Sequence, residues 1–111
     1  MTIKIKTTLY HAEWCGHCKN FMPEWAKFVE KVKNGTVKHP KAKFECDQFE
    51  DRELSKENEA TVNGVPIRGF PTVKISVVNS KGKTKEFEYD GKRNSDELTT
   101  FISIVADRES S

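Results

Sequence analysis

Cysteine is scarce in this chain. Three in 111 residues exclude a fold stapled by several disulfides, and one cysteine is left over from any pairing within the chain. No apolar run approaches the roughly 20 residues that cross a bilayer, so no membrane partner is expected. Neither sign of charge dominates. The 19 basic and 17 acidic residues give a net charge of +2 and are interleaved, so no block reads as a nucleic-acid footprint. Proline and glycine are few, at four and six, and nowhere gather into a linker. With no internal repeat, residues 1–111 suit a single domain with one core, expected to be monomeric.

The two ends add an expectation about compartment. The opening "MTIKIKTTLY" alternates polar and apolar residues and lacks the apolar stretch and cleavage site of a secretory signal. The closing "ADRESS" carries no retention or lipidation signal. Taken at face value, these ends place the protein in the cytoplasm, where stable disulfides are rare.

Hydrophobic spacing predicts the elements. Ile3, Ile5, Thr7 and Leu9 alternate with polar residues, which predicts a strand over Ile3–His11. From Gly16 the period becomes helical, with Phe21, Met22, Trp25, Phe28, Val29 and Val32 on one face. Asn34-Gly35 stops this helix, and Pro23 is expected to kink it. A short strand follows at Ala42–Cys46. The helix formers of "EDRELSKENEA" predict a helix over Glu50–Ala60, and "TVNGVPIRG" reads as a loop. Thr72–Val78 and Thr84–Tyr89 form a hairpin across "NSKGK". Asn94 or Ser95 then caps a last helix with the stripe Leu98, Phe101, Ile102 and Val105. The order β-α-β-α-β-β-α makes the first two strands parallel and the last two antiparallel. The expected fold class is α/β, a mixed four-stranded sheet with helices on both faces.

Chemistry concentrates in "LYHAEWCGHCKNFMPEW". Cys15 falls where a strand ends and a helix begins, facing unpaired N–H groups and the positive end of the helix dipole, which favours a thiolate. Cys18 lies one turn on, within reach of its sulfur. Gly16 and His17 keep the connection small, and a protonated His17 would favour the thiolate further. Three readings compete. A zinc site needs four ligands, and Cys46, His11, His17 and His39 are the only other soft candidates, with no second paired motif. A structural disulfide does not suit a reducing compartment. A redox pair in a βαβ setting fits the spacing and the position, and needs no metal.

"AEWCGHCK", "GFPT" and "YDGKR" together resemble the thioredoxin superfamily, and CGHC resembles the protein disulfide isomerase type of active site. The likeness spans Ile3 to Arg108. It implies a thioredoxin-like fold and a thiol–disulfide oxidoreductase that reduces, oxidises or isomerises protein disulfides. No cofactor beyond the cysteine pair is implied; the partners are protein substrates and an unidentified electron donor or acceptor. By resemblance, Cys15 attacks and Cys18 resolves. Trp14, Phe70 and Pro71 meet the substrate, with Pro71 in cis. Gly16, His17 and Trp14 tune the site, and Arg93 approaches the resolving cysteine. Lys43 resembles the lysine that pairs with a buried carboxylate, and Cys46 reads as an inert core thiol.

Three departures stand out. Only fourteen residues precede Cys15, so the core is expected to be minimal, near glutaredoxin in size. Leu9 stands where the family carries its buried carboxylate, leaving Glu45 or Arg93 to help Cys18 ionise. CGHC is typical of secretory-pathway oxidants, at odds with the cytoplasmic expectation. Two alternatives are open at this point: a glutaredoxin-like reductase that uses glutathione, and a binding module that uses the groove at Pro71 without turnover.

Overall fold

A computed structural model describes residues 2–55 and 60–110. Strand β1 (Ile3–His11) leads into helix α1 (Gly16–Lys33), followed by β2 (Ala42–Glu50). A two-residue pair, β3 (Thr61–Val62) and β4 (Val65–Pro66), precedes β5 (Thr72–Val78), β6 (Thr84–Tyr89) and helix α2 (Ser95–Glu109). The main sheet has the order β2-β1-β5-β6. β1 runs parallel to β2 and antiparallel to β5, and β5 and β6 form the expected antiparallel hairpin.

The period-2 pattern of β1 decides which face is covered. Ile3, Ile5 and Leu9 join Val73, Ile75 and Val77 of β5 in the core, against Phe21, Trp25 and Phe28 of α1 and Leu98, Ile102 and Val105 of α2. Met22, Val29 and Val32 of α1 and Phe101 of α2 pack at its margin. Both helices lie on this one face and are tied together. Lys31 meets Asp96 at 2.8 Å, and the Ser95 N–H donates to the Glu24 carboxylate at 2.9 Å. The other face carries charges in rows, Lys4 with Glu45, Lys6 with Asp47 and Lys74 with Glu86.

The fold class is the expected one, but four details are corrected. The segment "TVNGVPIRG", expected as a loop, contains the β3–β4 pair. Helices were expected on both faces; among the described residues the two α-helices lie on the same face. The expected helix Glu50–Ala60 is a single 3-10 turn at Asp51–Glu53; Leu54, Ser55 and Ala60 are not helical, and residues 56–59 lie outside the described residues. Leu54 is the only large apolar side chain of that segment. Good helix propensity therefore has no apolar stripe to bury. Finally, β2 continues four residues beyond Cys46 to Glu50.

Termini and turns follow local chemistry. Asn34 ends α1, with Gly35 at φ 83°. The Asn94 carboxamide caps α2 by accepting the Glu97 N–H at 2.8 Å. Asn63 and Gly64, at φ 53° and 80°, supply the two left-handed residues of the tight β3–β4 turn.

Phe28 is wholly buried, its ring centroid 5.6 Å from that of Trp25. Phe28→Ala should lower unfolding free energy by about 3–5 kcal/mol, measured by urea denaturation. A loss under about 1 kcal/mol would mean that the α1–sheet interface relaxes around the cavity.

Candidate active site

The end of β1 and the start of α1 position the two sulfurs. Cys15 is the N-cap of α1, with extended backbone at φ −92° and ψ 111°. Its Sγ accepts the Cys18 N–H at 3.1 Å, and its own N–H donates to the Ala12 carbonyl at 3.1 Å. The first turn of α1 holds no acidic side chain. The Cys15 sulfur is therefore the acceptor that meets the positive end of this helix. Cys15 and Cys18 are joined as a disulfide with their Cα atoms 5.2 Å apart. Both are buried, in a small cluster with Ala12 and Phe70.

The loop before β5 closes the site from the other side. The Phe70–Pro71 peptide bond is cis, and the Phe70 carbonyl oxygen lies 3.4 Å from Cys15 Sγ. Thr72 pins this loop by donating its hydroxyl to the Gly69 carbonyl at 2.7 Å. Trp14 meets the Phe70 ring edge-on at a centroid distance of 5.8 Å, yet it is 72% exposed. Gly16 and His17 are also exposed. A Cβ added at Gly16 would meet nothing within 4 Å, so the space above the disulfide is open to a partner.

A network that the sequence did not reveal holds the Glu13–Trp14 segment. Asp51 accepts the Trp14 indole N–H at 3.1 Å, and Glu50 accepts the Glu13 N–H at 3.3 Å. Arg52 reaches Glu13 at 2.7 Å and Glu50 at 3.0 Å. Glu50 also receives the Arg52 N–H, while the Glu53 carboxylate accepts the Glu50 N–H, both at 2.9 Å. Burial alone would raise the Glu50 pKa. The hydrogen bonds from the Arg52 backbone and side chain, with that from the Glu13 N–H, outweigh it and hold the carboxyl at about 2. The local signal was present, since Glu50 and Glu53 are spaced as a capping box. Read locally it announces a helix, and its tertiary partner lies 37 residues away.

The remaining candidates divide. Arg93 lines a groove of about 500 Å³ beside Pro71, together with Arg68, Phe70 and Glu88. Lys43 is not part of the site. It pairs in register with Lys4 near the far end of β1, about 23 Å from His11 at 3.3 Å per residue. The parallel register puts Gln48 and not Lys43 opposite Leu9. Glu45 is displaced likewise, exposed on the charged face and 3.8 Å from Lys4. Cys46 lies within β2 and not at its end; it is half-buried, and burial pushes its thiol up to about 11. Among the described residues no group of three His, Cys, Asp or Glu side chains could hold a metal ion, and no helix is long and apolar enough to cross a membrane.

The family model for Thioredoxin matches residues 4–104, and the chain belongs to the thioredoxin family. It is 34% identical over 94 residues to a protein disulfide-isomerase A6 homolog of Drosophila melanogaster, covering 85% of this chain and 19% of that protein. It is 32% identical over 105 residues to the probable protein disulfide-isomerase ER-60 of Schistosoma mansoni, covering 91% of this chain and 18% of that protein. Its fold superimposes on ERdj5 with a TM-score of 0.73 at 17% identity, over 96% of this chain and 13% of that one. The chain thus spans about a fifth of the length of these curated relatives. These relatives are proteins of the endoplasmic reticulum, which overturns the cytoplasmic expectation. That expectation rested on the two ends of the sequence, and the ends of one domain say nothing of the compartment.

Glu50 generates a pH prediction. A glutamate in the unfolded chain titrates near about 4.3, above the folded value of about 2. Its stabilising contribution is therefore complete above the unfolded value and is lost as pH falls through the folded one. Glu50→Gln should be less stable than wild type at pH 6, and the gap should close between about pH 4.3 and 2. Urea denaturation at stepped pH measures it; a gap that does not change with pH would show that the Glu50 charge does not matter.

Proposed function

We propose that this chain is a thiol–disulfide oxidoreductase domain that exchanges disulfides with protein substrates through Cys15 and Cys18. The observation that carries the reading is the placement of this pair at the start of α1, under an open rim made by Trp14, Phe70 and Pro71. The Cys15 thiolate attacks one sulfur of a substrate disulfide. A Cys15–substrate disulfide forms, and the other substrate sulfur leaves as a thiolate. Cys18 then attacks the Cys15 sulfur, restores the internal disulfide and releases the reduced substrate. Run backward, the same steps oxidise a substrate dithiol, and one incomplete round of each isomerises.

The surroundings support separate roles. N–H groups at the start of α1 stabilise charge on Cys15. The exposed Trp14 and half-buried Phe70 give an apolar edge for a substrate chain. Pro71 has no N–H of its own, and the groove beside it is bordered by Arg68, Glu88 and Arg93. The exposed His17 can add positive charge beside the Cys15 sulfur and so favour the reduced form. The pair itself is the redox group, and no external cofactor is required. An isomerase-type potential near about −180 mV lies at the poise of the endoplasmic reticulum, where exchange runs in both directions.

The test is trapping. Cys18→Ser should accumulate a mixed disulfide through Cys15 when mixed with a disulfide-containing protein, and Cys15→Ser should accumulate none. Non-reducing electrophoresis with peptide mapping reads the adducts. Stable adducts on Cys15→Ser alone would reverse the two roles, and none on either variant would refute the exchange reading.

A further inference from the structure

Cys18 cannot attack until it loses its proton, and its thiol is buried. Among the described residues no interior carboxylate is placed to serve it. Leu9 is wholly buried and apolar, and Glu45 lies on the opposite face of the sheet. Glu50, held at about 2, is a weak base and already accepts bonds from Glu13 and Arg52. The structure provides another outlet. A groove of about 430 Å³ opens onto Cys18 and is lined by His11, Ala12, Glu13, Cys18, Lys19 and Met22. That volume has room for several waters at about 30 Å³ each.

Three titratable side chains border this groove beside Cys18 itself. Glu13 is engaged by Arg52 at 2.7 Å. A lysine ammonium donates hydrogen bonds and has no lone pair to accept a proton. His11 ends β1, half-buried, and among the described residues its imidazole has no hydrogen-bond or ion-pair partner. Neutral imidazole carries an accepting nitrogen and changes charge in the range where thiol exchange operates.

We propose that His11 accepts the Cys18 proton through water in this groove, taking the place of an interior carboxylate. The inference rests on the exchange reading above. The Cys18 S–H proton passes through water to an imidazole nitrogen of His11. The Cys18 thiolate attacks Cys15 Sγ; the Cys15–Cys18 bond forms as the bond from Cys15 to the substrate sulfur breaks. The substrate sulfur leaves with that electron pair, and the imidazolium returns its proton to it or to solvent. The charged groups around His11 are Lys19 from α1, Glu50 in register on β2 and Glu13 from the following loop.

Single-turnover stopped flow separates the two steps, using the full chain, reduced beforehand, and a disulfide-linked fluorescent peptide. For His11→Gln, formation of the mixed disulfide should keep its wild-type rate. Its release should slow about tenfold or more near pH 7, and the deficit should narrow toward pH 9 as hydroxide takes over the imidazole's role. Added imidazole should restore part of the lost rate. Circular dichroism verifies the fold of the variant, and Leu9→Glu/His11→Gln, which supplies an interior carboxylate, should recover release. Release at the wild-type rate between pH 6 and 9, or slowing by the same factor at every pH without imidazole rescue, would overturn the proposal. If Cys18→Ser traps no mixed disulfide, the exchange reading itself fails, a result distinct from either of these.

Discussion

The Cys15 sulfur stands where β1 stops and α1 starts, and much of the site follows from that position. As N-cap it accepts the Cys18 N–H, a duty that serine or aspartate usually performs. The first turn of α1 contains no acidic residue that would compete for the positive end of the helix. α2, by contrast, begins with Asp96 and Glu97 after a conventional Asn94 cap. A sulfur in the capping place gains most when it is charged, so the structural bond and the nucleophile are the same atom.

That placement has to be held against substrate traffic, and two loops from elsewhere in the chain hold it. The turn after β2 grips Glu13 and Trp14 through Glu50, Asp51 and Arg52. The turn before β5 brings the Phe70 carbonyl beside Cys15 and is itself pinned by Thr72. Both turns lie at the same end of parallel β1 and β2, where strand ends of an α/β sheet leave a crevice. The opposite end of the sheet, with Lys4 and Lys43, takes no part.

The sequence was most legible where burial imposes a period. β1, α1, β5, β6 and α2 carry periodic apolar residues and fall where the spacing places them. The cysteine pair was legible for another reason, since a strand-to-helix junction leaves little choice about where Cys15 lies. β2 was read four residues short, because "DQFE" continues a strand through polar residues facing solvent and loops. Lys43 was brought to the site by resemblance and Glu45 by its spacing from Lys43, whereas the register puts Gln48 beside Leu9. The residues 50–53 were misread as the start of a long helix for lack of any view of Glu13 and Trp14 across the fold. His11 passed as one weak metal candidate, since only the assembled groove shows it beside Cys18.

The account stands on Cys15 and Cys18 being an exchanging pair and not a structural bond. Their equilibrium with glutathione measures this most directly, reading the oxidised fraction by mass spectrometry after acid quench over a range of reduced-to-oxidised ratios. The account predicts one two-electron transition near about −180 mV, and in any case less negative than the −270 mV of thioredoxin. A pair that stays oxidised to below about −300 mV would be a structural disulfide, and the account would be wrong.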